Sequence, residues 1–156
     1  MPESSNVVTT PGHNVTILDD PLQVGHIAPR HIAAAAFPLL KAMLSAPGER
    51  AGFLNYTLDA DGLTLIMDAR GQQAFEEGAY PVEWSGLEWY AFEIHLGALA
   101  WEQPGVVSFL STIMAENRIS ILNLLTCDRD FLLVSASDVQ RATELIQRSR
   151  WAVPQI

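Results

Sequence analysis

The chain is 156 residues long, with 49% hydrophobic and 17% charged residues, which suits one ordinary domain or two half-size units and excludes a disordered chain. Its net charge of −9, with the basic residues scattered and Lys41 the only lysine, argues against nucleic acid as a partner. No run nears the roughly 20 apolar residues of a membrane span, and the single cysteine, Cys127, excludes an intrachain disulfide or a Cys-rich metal site.

Residues 1–10 lack the basic and apolar blocks of a signal peptide, residues 1–13 read as a disordered polar tail, and the expected compartment is the cytoplasm. Short β-type runs follow at 14–18 and 22–27, joined by Asp19-Asp20-Pro21. The stretch 32–44 is apolar and rich in alanine. Pro38 cannot donate a backbone bond inside a helix, so a short helix is expected from Pro38 to Ser45, stopped by Pro47-Gly48. Strands are expected at 53–58 and 63–68 around the turn Asp59-Ala60-Asp61-Gly62, then a weak helix at 71–77 and a linker at 78–85.

The second half repeats the pattern more cleanly. Residues 89–96 alternate, with Tyr90, Phe92, Ile94 and Leu96 on one face and Trp89, Ala91, Glu93 and His95 on the other. A loop with Glu102-Gln103-Pro104 leads into a helix to about Asn117, whose stripe is Val106, Phe109, Leu110, Ile113 and Met114. A hairpin spans 119–126 and 131–136 around Cys127-Asp128-Arg129-Asp130. Ser137 with Gln140 forms a capping box for a helix to about Ser149, and 151–153 is a candidate closing edge strand.

Setting Phe53-Leu54-Asn55-Tyr56 over Ile121-Leu122-Asn123-Leu124, and continuing without a gap, places Leu63-Thr64-Leu65-Ile66 on Phe131-Leu132-Leu133-Val134. The offset is a constant 68 positions, which indicates a duplicated folding unit. The order β-α-β-β-α-β predicts an α+β fold of two fused ferredoxin-like units, 14–84 and 86–156, with antiparallel sheets and helices on one face.

Several residues admit both functional and structural readings. The helix start at Gly105 offers unpaired N–H groups to an anion, or is simply a helix start. Asp130 and Asp128 compete as a cation partner, and either also serves as a turn residue; Thr126 also reads as a β-former at a strand end. Glu93 and His95 read as a solvated or dimer-facing pair rather than a metal site, and His13, His26, His31 and His95 show no metal-ligand spacing. Cys127 with His95 lacks an orienting third group and any oxyanion signature, so the chain is read as a non-enzyme without a cofactor. Trp84, Trp89, Trp101 and Trp151 read as core or interface anchors.

The second half resembles the ACT domain, a small regulatory ligand-binding module, and within that family the tandem units of the cytosolic arginine sensors called CASTOR. The resemblance rests on Glu102-Gln103-Pro104-Gly105-Val106-Val107, Leu110-Ser111, Met114-Ala115, Ile119-Ser120-Ile121-Leu122 and Thr126-Cys127-Asp128-Arg129-Asp130-Phe131-Leu132-Leu133-Val134. The first half, with Leu63-Thr64-Leu65-Ile66-Met67-Asp68 and Gln72-Gln73, resembles the degenerate unit that precedes each ligand-binding unit there. This resemblance implies an amino-acid-sensing regulatory protein that binds arginine or lysine between two second units, acts as a homodimer and has a protein partner. The implied ligand-binding residues are Glu102, Gln103, Gly105, Val106, Val107, Thr126, Cys127 and Asp130, with Asp130 central. Gln103 stands where the arginine sensors carry a carboxylate, and those sensors hold two such halves in one chain. The alternative is an ACT-fold interaction module that binds no small molecule.

Overall fold

Four consecutive β-branched residues set the first element. Val7–Thr10 forms strand β1, and His13–Ile17 forms β2, paired antiparallel to it. The tail expected to be disordered over 1–13 is therefore strand at Val7–Thr10. The polar flanks hid a run whose side chains favour extended backbone. The computed structural model describes residues 7–10, 13–44, 52–95, 105–127 and 129–149.

The chain divides into two units, Asp20–Trp89 and Met1–Asp19 with Tyr90–Ile156. The unit Asp20–Trp89 holds β3 (Leu22–Ile27), a 3-10 turn at Pro29–His31, α1 (Ile32–Leu44), β4 (Leu54–Leu58), β5 (Leu63–Asp68), α2 (Ala69–Glu76) and the first part of β6 (Glu83–His95). Its sheet order is β6-β3-β5-β4, each neighbour antiparallel. Ile27, Leu63, Leu65 and Met67 form its core with Ala35 of α1 and Phe75 of α2, so both helices lie on one face. Each large apolar side chain buried this way contributes about 1.5–3 kcal/mol.

Helix α1 runs through Pro38 rather than starting there. The turn Pro29–His31 and four consecutive alanines from position 33 start the helix early. Pro38 then removes one i→i−4 bond, a cost of about 3 kcal/mol, while its ring is buried. The expected linker at 78–85 is likewise shorter, because β6 begins at Glu83.

The other unit joins β1 and β2 to the end of β6, α3 (Val106–Glu116), β7 (Ile121–Leu125), β8 (Arg129–Ser135) and α4 (Val139–Arg148). Here β2 pairs with β6, matching Val15 with Ile94 and Ile17 with Phe92, and β6 pairs with β8. The boundary expected at residue 14 thus gives way: β2 belongs with the later unit. Val15 is fully buried in a cluster with Phe92, Ile94, Leu132, Val134, Val106, Leu110, Met114, Ala142 and Ile146. That apolar match outweighs the local turn at Asp19-Asp20. The predicted capping box of α4 is replaced by a 3-10 turn, Ala136–Asp138, in which Ser135 Oγ bonds Ser137 Oγ. The candidate edge strand 151–153 lies outside the described residues.

The two hairpins are alike, but not at the offset of 68. Asp59 N donates to Gly62 O and Asp59 Oδ1 accepts from Gly62 N. Thr126 N donates to Arg129 O and Thr126 Oγ1 accepts from Arg129 N. Leu58 pairs with Leu63, as Leu125 pairs with Asp130. These equivalences put Asp130, not Phe131, in the place of Leu63. A one-residue shift exchanges the faces of a strand. Leu65 and Met67 then match Leu132 and Val134, all of which face helices.

Candidate functional site

Chain length fixes what meets at one end of the unit formed by Tyr90 onward. Helix α3 has 11 residues, about 16 Å at 1.5 Å per residue. Arg118, at φ 57°, turns the chain, with Ile119 N donating to Met114 O. Strand β7 then returns over 5 residues, about 16 Å. The β7–β8 turn is therefore level with the start of α3.

Gly105 precedes that helix with φ 93°, a left-handed conformation that glycine alone adopts without strain. A Cβ there would meet nothing within 4 Å, so the glycine is needed for its backbone angle and not for close approach. Its carbonyl accepts from Phe109 N, the first turn of the helix. The preceding N–H groups have no partner within the helix, and the helix dipole adds partial positive charge. The Val106 side chain is buried in the core, leaving only its backbone for a ligand; Val107 is partly exposed.

Asp130 is the unusual residue. It is only 6% exposed and takes the first helix-facing position of β8, where the other hairpin has Leu63. Among the described residues its carboxylate makes no hydrogen bond or ion pair, and burial pushes its pKa up. The desolvation is partial, since among the described residues the fully buried side-chain polar atom without a partner is Trp89 Nε1 and not a carboxylate oxygen of Asp130. Asp128, its rival in the sequence, lies outside the described residues.

The other predicted residues divide. Thr126 is exposed, and its Oγ1 donates to Arg129 O while accepting from Arg129 N, so it closes the turn. Cys127 is exposed with a free thiol. Glu102 and Gln103, with Pro104 and Trp101, lie outside the described residues. By chain length alone, Gly105, Val106 and Val107 at the start of α3 and Thr126, Cys127 and Asp130 at the hairpin fall toward the same end of the unit.

Sequence reasoning missed an ion pair on the opposite face of the same hairpin. Arg129 and Asp130 are consecutive in β8 and point to opposite sides. The Arg129 guanidinium donates to Glu93 Oε1, and His95 Nε2 stands 3.6 Å from Glu93 Oε2 and 3.3 Å from Thr16 Oγ1. Glu93, expected to be solvated or dimer-facing, is 7% exposed within this cluster. The only signal was an acidic residue in a strand whose neighbours Ala91 and Ile94 are apolar.

Among the described residues, no group of three or more His, Cys, Asp or Glu side chains could hold a metal ion, and no helix is long and apolar enough to cross a membrane.

This arrangement fits what comparison with known proteins finds. Residues 85–148 match the ACT domain family. That span covers α3, the hairpin and α4, the elements that carry the candidate site. No curated protein matches the chain. Among solved structures, a protein of Agrobacterium tumefaciens is similar with a TM-score of 0.61 and 23% identity, over 86% of each chain. The ligand-free regulatory subunit of aspartate kinase from Thermus thermophilus is similar with a TM-score of 0.58 and 15% identity, over 86% of this chain and 95% of that one. A Vibrio cholerae protein described as a possible transport protein has a TM-score of 0.58 and 16% identity, over 90% and 91%. The fold is α+β, antiparallel and ACT-like, shared with regulatory subunits of aspartate kinase.

Proposed function

We propose that this chain is a cytoplasmic regulatory protein, built from two fused ferredoxin-like ACT units, that binds a free amino acid and performs no chemistry itself. The observation that supports the reading is Asp130: a buried carboxylate with no partner among the described residues, in the place where the sister hairpin has leucine. The helix start holds the ligand's carboxylate through the N–H groups that follow Gly105. Asp130 faces the cationic group, through charge-assisted bonds stronger than neutral ones. Thr126, Cys127, Glu102 and Gln103 are the further proposed ligand contacts. Arginine and lysine suit the acidic balance of the chain, whose net charge is −9. Two copies meet through the unit that contains Tyr90 onward, giving two equivalent sites in a homodimer, and ligand occupancy is read by a protein partner.

A thermal-shift screen of the free amino acids tests this. A ligand at a hundred times its Kd adds about 2.7 kcal/mol of stability, so one amino acid should raise the melting temperature in a concentration-dependent way. If none does, the amino-acid reading fails and the ligand-free interaction module takes its place.

A further inference from the structure

Helix α1 leaves one face unpacked. Ala35 and Pro38 are buried, whereas Phe37 is 68% exposed, Leu40 51%, Met43 49% and Leu44 69%. Helical spacing sets Ala33, Ala36, Phe37, Leu40 and Leu44 along one stripe, and Ala33 and Ala36 are exposed too. The large side chains make a contiguous apolar surface on the order of a few hundred Å², of the kind soluble proteins keep for contacts.

Two properties of the stripe identify its occupant. It is graded in size: alanines fill its first half, and phenylalanine and leucines fill its second. An antiparallel copy of the same helix would set the large residue at one end over the small one at the other, Leu44 on Ala33, with Phe37 against Leu40 in the middle. The stripe is also free of acidic residues, in a chain whose net charge is −9. Lys41, the one charged residue of the helix, is ion-paired to Glu77 of the same chain. Two copies can therefore meet here without opposing carboxylates, whereas like charges across a contact disfavour it.

We propose that α1 is a self-docking surface, on which a second copy of this chain packs its own α1 antiparallel about a two-fold axis. Leu44 of each copy covers Ala33 of the other, and Phe37 meets Leu40. Two-fold symmetry makes every such contact twice. This surface is separate from the one in the proposed amino-acid-dependent dimer, so the two ideas fail independently.

Sedimentation equilibrium on the full chain tests it. Leu40→Glu places a carboxylate in the stripe from both copies and should weaken the α1-dependent association at least about a hundredfold, two steps of tenfold in Kd. Ala33→Phe should do the same by filling the space that receives Leu44. Both sites are exposed, so circular dichroism should remain that of the wild type. As a check independent of these variants, a Cys127→Ser chain carrying Ala33→Cys and Leu44→Cys should form cross-linked dimers on mild oxidation. The proposal is overturned if both substitutions leave the association of the wild type unchanged, or if the cysteine variant fails to cross-link.

Discussion

Replacing Asp130 by alanine is expected to weaken amino-acid binding at least about tenfold and to make the empty protein more stable. Removing one partner of a buried charge pair costs about 2–5 kcal/mol, and about 1.4 kcal/mol is a factor of ten. The gain in stability follows from the same burial. Asp130 is 6% exposed and its pKa is raised by desolvation. A raised folded-state value means that folding favours the protonated form. This contribution to stability is whole below the unfolded carboxyl value of about 3.9 and is lost as pH rises through the folded value. Asp130→Ala removes that loss, so near neutral pH the empty variant should gain about 0.5–2 kcal/mol, the range of common stabilising substitutions. Urea unfolding of both proteins without ligand measures the gain. Asp61→Ala, at the exposed tip of the other hairpin, should alter neither binding nor stability by more than about 0.5 kcal/mol.

The second large effect is structural. Asp68 is 4% exposed and caps α2, accepting from Arg70 N and Gly71 N through Oδ1 and from Phe53 N through Oδ2, each at 3.0 Å. Losing a cap costs about 0.5–2 kcal/mol, and a backbone donor left unpaired costs about 1–3 kcal/mol more. Asp68→Ala should therefore destabilise by about 3 kcal/mol in urea unfolding, while Asp68→Asn, which keeps one acceptor oxygen, should lose less. Asp138 makes a useful contrast. It starts α4 but makes no capping bond, and its ion pair with Arg141 is at the surface. Asp138→Ala should cost no more than about 1 kcal/mol. Equal losses at Asp68 and Asp138 would show that the cap at Asp68 is not what holds Gly52–Leu54 to α2.

Both hairpins were readable in the sequence, the first at its turn Asp59 to Gly62; the second turn, expected over Cys127 to Asp130, closes between Thr126 and Arg129, so Arg129 and Asp130 belong to β8. The stripe of α3 was readable for a similar reason: Val106, Leu110 and Met114 recur at helical spacing and are buried. What failed depended on distant partners. Nothing near Val15 announces that it will pair with Ile94, and the turn at Asp19-Asp20 points instead to a neighbour in sequence. Pro38 failed because propensity rules weigh one missing bond and not the packing of its ring. The offset of 68 failed by one residue, which is a small error along the chain and a complete one for orientation. It would turn Asp130 away from the helices, whereas the turn geometry at Thr126 sets it toward them. The choice between Asp128 and Asp130 therefore had no basis in residue type alone.

The most direct measurement is calorimetric titration of the wild type and Asp130→Asn with the amino acid selected by the thermal screen, in a series of falling pH that starts from about pH 7, since burial raises the pKa of Asp130. Binding should be tight only for the wild type near pH 7, should weaken as pH falls and Asp130 takes up a proton, and should be weak for the variant throughout. Equal affinity of the two proteins near pH 7 would contradict it.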